Sequence, residues 1–306
     1  MLSVESAGLV LSGGGAKGAF QVGVWKAMCE LGIADRIRVI SGTSVGAING
    51  AAFALLKDPD RIRDLWYRHV QDIVCLNFGI LDLTKIASVI LEGLRGVPFP
   101  FLGIFSRDGL VRLLERVVTG PFPEDGRDVY ATALKCKGSV LKTFDTSAYS
   151  LSRFHLNREV SPEKIRRMIL ASASIPWGFD PVEIDGERYI DGGFEGTCGD
   201  NLPITPILEN HPDIKTIYII RCNSRQAEPE PLRIKEKPDC RIVEVRPQRT
   251  LPGILDDLNL TDHPTFKCWS GDFSFRSDYA RKYFETGYAD GLAALRPSIL
   301  EAKLNW

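Results

Sequence analysis

The chain has 306 residues, enough for one large domain or two small ones, and its 44% hydrophobic and 25% charged content is that of an ordinary globular protein. A net charge of −1 supplies no global field to draw it to nucleic acid or strongly to anionic membranes. The opening Met1-Leu2-Ser3-Val4-Glu5-Ser6 has no basic segment leading into a long apolar one, and no apolar run is long enough to cross a bilayer, so no secretory leader or membrane span is expected and the default location is cytoplasmic.

Gly8-Leu9-Val10-Leu11 predicts a short buried strand that opens into Ser12-Gly13-Gly14-Gly15-Ala16-Lys17-Gly18. A helix follows through Phe20, Val24, Trp25, Met28 and Leu31, with Gly32 as its stop. Val39-Ile40 predicts a second strand, which runs into Gly42-Thr43-Ser44-Val45-Gly46 and a small-residue helix to about Leu56. This β-α-β-α order implies a parallel sheet core.

The Gly-x-Ser-x-Gly pentapeptide suits a tight strand-to-helix turn that thrusts Ser44 outward as a nucleophile. The competing reading is a corner whose serine merely caps the helix. The glycine loop before it admits three readings. Gly13-x-Gly15-x-x-Gly18 matches a dinucleotide fingerprint, but the second strand ends in Ser41-Gly42 instead of an acidic residue. A phosphate loop would want Ser or Thr after Lys17, and Gly18 stands there. As an oxyanion hole, consecutive glycines turn backbone N–H groups towards one point, each worth about 3 kcal/mol in a transition state. A candidate nucleophile at the end of the next strand favours that third reading, because adjacent parallel strands bring both loops to one sheet edge.

Asp58 to Val70 predicts an amphipathic helix. Residues 70–105 are strongly apolar and end in Val97-Pro98-Phe99-Pro100-Phe101-Leu102, which suits a cap over an apolar cleft or lipid contact better than a mere completion of the core. Few Lys or Arg accompany it, so strong interfacial binding is not indicated. A helix from Ser106 through Val117 is followed by a strand, Val129 to Leu134, with Ser139 to Phe144 as its partner and Lys135 to Gly138 as the turn. Pro162 to Ala173 predicts a helix capped by Ser161 and leading into the small-residue run Ala171-Ser172-Ala173-Ser174-Ile175-Pro176. Val182-Glu183-Ile184 and Arg188-Tyr189-Ile190 flank the turn dipeptide Asp185-Gly186, and the second arm enters Asp191-Gly192-Gly193. Strands over Thr216–Arg221 and Arg241–Val245, a surface loop over 226–239, an irregular stretch over 258–272 and a helix over 277–295 complete the chain, with no internal repeat and no dividing linker.

A serine nucleophile needs a base. Of His69, His155, His211 and His263, none has the glycine neighbours that would present it at a sheet edge. Asp191 follows a strand directly, and Gly192-Gly193 lets a substrate approach it; a carboxylate is a weak base, so burial should raise its pKa. Taken alone, Asp-Gly-Gly is a turn; beside Ser44 and the glycine loop it is the better candidate for the base. The seven cysteines are scattered and form no Cys-x-x-Cys pair, which fits buried free thiols in a reducing compartment. No cluster has metal-ligand spacing, so neither metal nor cofactor is expected.

With Gly13-Gly14-Gly15-Ala16-Lys17-Gly18, Gly42-Thr43-Ser44-Val45-Gly46 and Asp191-Gly192-Gly193 in that order, the chain resembles the patatin-like phospholipases. Ala173-Ser174-Ile175-Pro176, Pro181 and Asn201-Leu202-Pro203 also look like that family's pattern, and the resemblance covers roughly residues 7 to 208. It implies an α/β fold, a three-layer α/β/α sandwich around a mostly parallel sheet, and lipid acyl hydrolysis by a Ser-Asp dyad without histidine. Carried over, Ser44 is the nucleophile, Asp191 the base, and Gly13, Gly14, Gly15 and Lys17 form the oxyanion loop, with Gly18, Gly42, Gly46, Gly192 and Gly193 completing the motifs. Phe194 to Asp200 looks longer than the family's usual link, which bears on the shape beside Asp191.

The expected substrate is a phospholipid or other fatty acyl ester, of the phospholipase A or lysophospholipase type, with peripheral membrane contact and no nucleic acid partner. A catalytic domain over 7–208 and an extension over 209–306 that completes the same globule are expected; oligomeric state is left open. Two rivals stand: a Ser-His-Asp esterase using His211 or His263, and a non-catalytic lipid- or nucleotide-binding module whose glycine loop holds phosphate.

Overall fold

Parallel strands buried on both faces read as near-continuous buried runs, and the two strands that flank the glycine loop and the serine are buried almost throughout. β1 (Ala7–Leu11) is buried throughout, and β2 (Ile37–Thr43) is buried at every position except Arg38. The computed structural model describes residues 5–73, 75–76, 105–137, 146–176, 178–194, 197–224, 231–234, 239–253 and 274–304. In chain order β1 leads to α1 (Gly18–Glu30), β2, α2 (Val45–Leu55) and α3 (Pro59–Ile73). A two-stranded ribbon, β3 (Cys75–Leu76) with β4 (Phe105–Ser106), precedes α4 (Asp108–Val117), β5 (Asp128–Cys136), β6 (Tyr149–His155) and α5 (Pro162–Ser172). Then come the hairpin β7 (Val182–Ile184) and β8 (Glu187–Asp191), α6 (Thr205–Asn210), β9 (Thr216–Ile220), β10 (Arg241–Val245) and α7 (Ser277–Leu304).

The main sheet has the order β10-β9-β1-β2-β5-β8-β7, with β6 on β5. The four pairings from β10 to β5 are parallel, and the three made by β5 with β6, β5 with β8 and β8 with β7 are antiparallel. Alternate residues face opposite layers: Leu9, Leu11 and Ile40 join the core formed with α1, α2 and α7, whereas Val10 and Val39 pack with Leu202, Ile204 and Ile207 around α6. The result is the expected α/β arrangement, helices on both faces of a mostly parallel sheet. β1 is the switch point: the chain leaves it through α1 to β2 on one side and returns much later as β9 on the other. Ligands of such sheets bind beyond the carboxyl ends of the strands at that point.

One pairing differs from the sequence reading. β5 continues through Lys135 and Cys136, where a turn was expected, and its antiparallel partner is Tyr149–His155. The strand expected over 139–144 lies outside the described residues, as do 258–272, most of 70–105 and most of 226–239. The expected Ser161 cap is present, its hydroxyl accepting from Lys164 N–H at 3.3 Å. The cysteines at 29, 136, 198, 222 and 240 form no disulfide, and burial raises the thiols of Cys29 and Cys136 to about 11.

Candidate active site

The turn after β2 is tight because two backbones cross there. A Cβ on Gly42 would lie 2.3 Å from Gly46 O, and one on Gly46 would lie 2.3 Å from Leu11 O, so only glycine lets α2 start this close to the ends of β1 and β2. Ser44 sits between them at φ 57°, a left-handed conformation that costs a side-chain-bearing residue on the order of 1–3 kcal/mol. Its side chain makes no capping hydrogen bond, which removes the helix-cap reading. Its backbone is used instead: Ser44 O accepts from Ala47 N–H at 2.9 Å, and Ser44 N–H donates to Ser172 Oγ at 2.9 Å. Ser172 in turn donates to Thr132 O at 2.6 Å, so the end of α5 braces the serine against β5. The amino end of α2 adds positive potential at the same point.

Register brings Asp191 to Ser44. β2 lies along β5 as far as Thr43 opposite Thr132. β8 approaches from the other direction, with Tyr189 opposite Lys135 and Asp191 opposite Ala133. Because β6 occupies β5 from Tyr130 to Cys136, β2 and β8 must share the remaining edge, and their carboxyl ends meet there. Asp191 is buried, its N–H donates to Ser174 O at 2.9 Å, and its Oδ1 accepts from Gly193 N–H at 2.8 Å. The Ala171–Ser174 run thus supports both residues, Ser172 holding Ser44 and Ser174 holding Asp191.

The glycine loop closes over this pair from β1. A Cβ on Gly13 would lie 3.2 Å from Ser44 Cβ. Gly14 at φ 148° and Gly15 at φ 50° take conformations that favour glycine, and their N–H groups have no hydrogen-bond acceptor among the described residues. The other members of the expected oxyanion set differ: Gly13 N–H donates to Asn201 Oδ1 at 2.8 Å, and Lys17 N–H donates to Gly14 O at 3.0 Å. Those two amides are engaged, so the loop offers Gly14 and Gly15. The buried Lys17 ammonium reaches Asn223 Oδ1 at 3.5 Å. Gly18 opens α1, and Gly192 follows Asp191, with its N–H 3.4 Å from Ser172 O. Behind the loop lies a buried polar network: Gln21 donates to Ser12 O at 2.7 Å, Asn49 donates to Gly18 O and to Gln21 Oε1, and Trp66 donates to Asn49 Oδ1.

The histidines are elsewhere. His155 pairs with Asp128 at 2.7 Å, and His211 lies 3.7 Å from the same carboxylate and 3.3 Å from Tyr130 OH. Asp128 begins β5 and Thr132 faces the end of β2, so about 13 Å of strand separates this cluster from Ser44. His69 lies on α3 beside Asp72 and Arg116. The Ser-His-Asp alternative through His211 is therefore excluded by position; His263 lies outside the described residues. No group of three His, Cys, Asp or Glu able to hold a metal occurs among the described residues. Sequence reasoning missed Ser172 as part of the site and noted Asn201 only within the Asn201-Leu202-Pro203 pattern, with no role assigned to it. Their signal was faint: a serine in a small-residue run, and an asparagine before Leu-Pro.

A serine at positive φ between a parallel strand and a helix, under a glycine loop at the switch point, is a strand–turn–helix corner of an α/β fold. The chain belongs to the patatin-like phospholipase family, whose model matches residues 9–208. It is 40% identical over 195 residues to patatin-like phospholipase domain-containing protein 7 of Rattus norvegicus, covering 63% of this chain and 12% of that protein. It is 61% identical over 50 residues to lysophospholipase nte1 of Aspergillus terreus, 16% of this chain and 3% of that protein. The chain thus spans about an eighth of the length of the first relative. Among solved structures, VipD from Legionella pneumophila aligns over 95% of this chain and 67% of its own, with 17% identity and a TM-score of 0.46.

Proposed function

We propose that the protein is a lipid acyl hydrolase of the phospholipase A or lysophospholipase type, working through a Ser44–Asp191 dyad. The observation that carries this reading is the end-to-end meeting of β2 and β8 along β5, which sets a buried carboxylate beside a left-handed serine whose hydroxyl does not cap its helix. Family membership supports the acyl-ester chemistry, and the name of the fungal relative supports a lysophospholipid among the substrates.

Asp191 takes the proton of Ser44 as Oγ attacks the ester carbonyl. Charge develops on the carbonyl oxygen, where the Gly14 and Gly15 N–H groups receive it. The intermediate collapses, the C–O bond to the alcohol breaks, and Asp191 returns the proton to the departing alkoxide. A water then gives its proton to Asp191, attacks the acyl-enzyme and releases the fatty acid, and the proton goes back to Ser44. Contact with a lipid surface belongs to the same proposal. No helix among the described residues is long and apolar enough to cross a membrane.

The test is turnover on phospholipids, lysophospholipids and neutral glycerides, together with fluorophosphonate labelling. Ser44→Ala and Asp191→Asn should each lower kcat by about 10⁴-fold or more while leaving the melting temperature near wild type, and the label should sit on Ser44. His211→Ala should keep wild-type turnover. Hydrolysis by Ser44→Ala at the wild-type rate would sink the mechanism. A folded protein that binds nucleotide and takes no label would favour the binding-module reading instead.

A further inference from the structure

Three loops converge on the site, and one dipeptide touches all of them. Asp200 N–H donates to Gly192 O at 2.7 Å, and Asp200 O accepts from Thr43 Oγ1 at 2.7 Å. The next residue, Asn201, accepts the Gly13 N–H on Oδ1 at 2.8 Å. That oxygen fills the space where a Cβ on Gly13 or on Gly193 would stand, at 2.5 and 2.7 Å. Thr43 precedes the nucleophile, Gly192 and Gly193 follow Asp191, and Gly13 begins the glycine loop.

We infer that Asn201 is a positioning residue, clipping the glycine loop into register with Ser44 and Asp191. The inference rests on the dyad reading above. Its physical basis is the loop itself. Three consecutive glycines have more backbone freedom than any other tripeptide, so the loop cannot hold a fixed direction for its amides unaided. Ser12 is fixed from behind by Ser12 N–H to Ile220 O and by Cys222 N–H to Ser12 Oγ. The bond from Gly13 to Asn201 fixes the next peptide and so sets the plane from which Gly14 and Gly15 depart. The backbone of Asp200 carries the clip on two further bonds, tying the donor loop to the base and to the nucleophile. An oxyanion hole stabilises charge only when its donors are already aimed, and that aiming is the role the geometry gives Asn201.

The experiment uses the full chain with Asn201→Ala and, acting at the other end of the clip, Thr43→Val, which removes the donor to Asp200 O. A displacement of the order of 1 Å costs about 100-fold in rate. Asn201→Ala should therefore lower kcat about 100-fold with KM within about twofold of wild type, and Thr43→Val should lower kcat with KM likewise unmoved. Exchange of the Gly13 amide, followed by NMR, should accelerate in Asn201→Ala while core amides of β1 and β2 stay protected. Wild-type kcat in Asn201→Ala, or in Thr43→Val where the alanine variant does not fold, overturns the inference. So does unchanged Gly13 exchange in Asn201→Ala. Should the wild-type protein neither turn over an ester nor label at Ser44, the dyad reading fails and the catalytic role of Asn201 fails with it. If only the positioning role of Asn201 fails, the unmutated protein still turns over esters and still labels at Ser44, which separates the two failures.

Discussion

At the scale of single residues, Asp200 is the group whose chemistry is least at ease. It is 1% exposed, and burial holds its carboxyl above the ordinary range, with Arg153 at 4.0 Å pulling the other way. A raised carboxyl pKa means that the folded chain keeps a proton the unfolded chain has already released. Stability therefore falls as pH rises from the ordinary value through the folded one, and the cost persists at neutral pH. Asp200→Asn keeps an acceptor for Leu202 N–H, which Asp200 Oδ1 now takes at 3.3 Å, and removes the charge. The variant should melt higher than wild type at pH 7, and the gap should close as pH falls below about 3, where the aspartate is protonated in both states. Melting curves across that range check this; equal melting temperatures at pH 7 would contradict it.

At the scale of elements, the end of α5 is the brace for the serine turn. Ser172 Oγ accepts from Ser44 N–H and donates to Thr132 O, all of them buried. Ser172→Ala would leave a buried donor and a buried acceptor unpaired, costing about 1–3 kcal/mol for each. The expected outcome is a lower denaturation midpoint and a reduced kcat; a fall in neither would show that the brace is dispensable. The elements on either side of this brace were readable to different degrees. β1, α1, β2 and α2 were legible because their apolar runs are bounded by glycines with one evident purpose. The β7–β8 hairpin was legible from Asp185-Gly186, the first of which takes φ 51°. β6 was not, because Tyr149–His155 is intermediate or exposed at every position but the first and so carries no strong alternation. A nearer apolar stretch, over 139–144, competed for the same pairing. Ser44 and Asp191 could be found as motifs, but their meeting depends on the register of two strands against a third. Asn201 and Ser172 bond to residues far away in sequence, 188 positions for Asn201 with Gly13 and 128 for Ser172 with Ser44, and the local Asn201-Leu202-Pro203 pattern does not reveal that partner.

At the scale of the whole molecule, the question is whether the family region stands alone. α1 follows the glycine loop, and all but three of its residues are buried. A helix buried all round needs cover on two sides. The sheet gives one, and α7 gives the other. The two helices cross backbone to backbone, a Cβ on Gly23 lying 2.0 Å from Phe284 O and one on Gly287 lying 2.0 Å from Phe20 O. β9 pairs with β1 along its whole length, and Ile220 O holds Ser12 at the root of the glycine loop. We propose that residues 209–306 complete the globule of 7–208 and are not a separable domain. A chain ending at 208 would uncover Phe20, Val24 and one edge of β1, and should show no cooperative melting and bind a hydrophobic dye. Gly287→Leu in the full chain forces the same interface apart and should destabilise it by about 3 kcal/mol. A fragment 1–208 with a sharp melting transition near that of the full chain would make the extension a separate unit. The glycine loop would then owe its placement to contacts within 7–208, Asn201 on Gly13 and Gln21 on Ser12 among them.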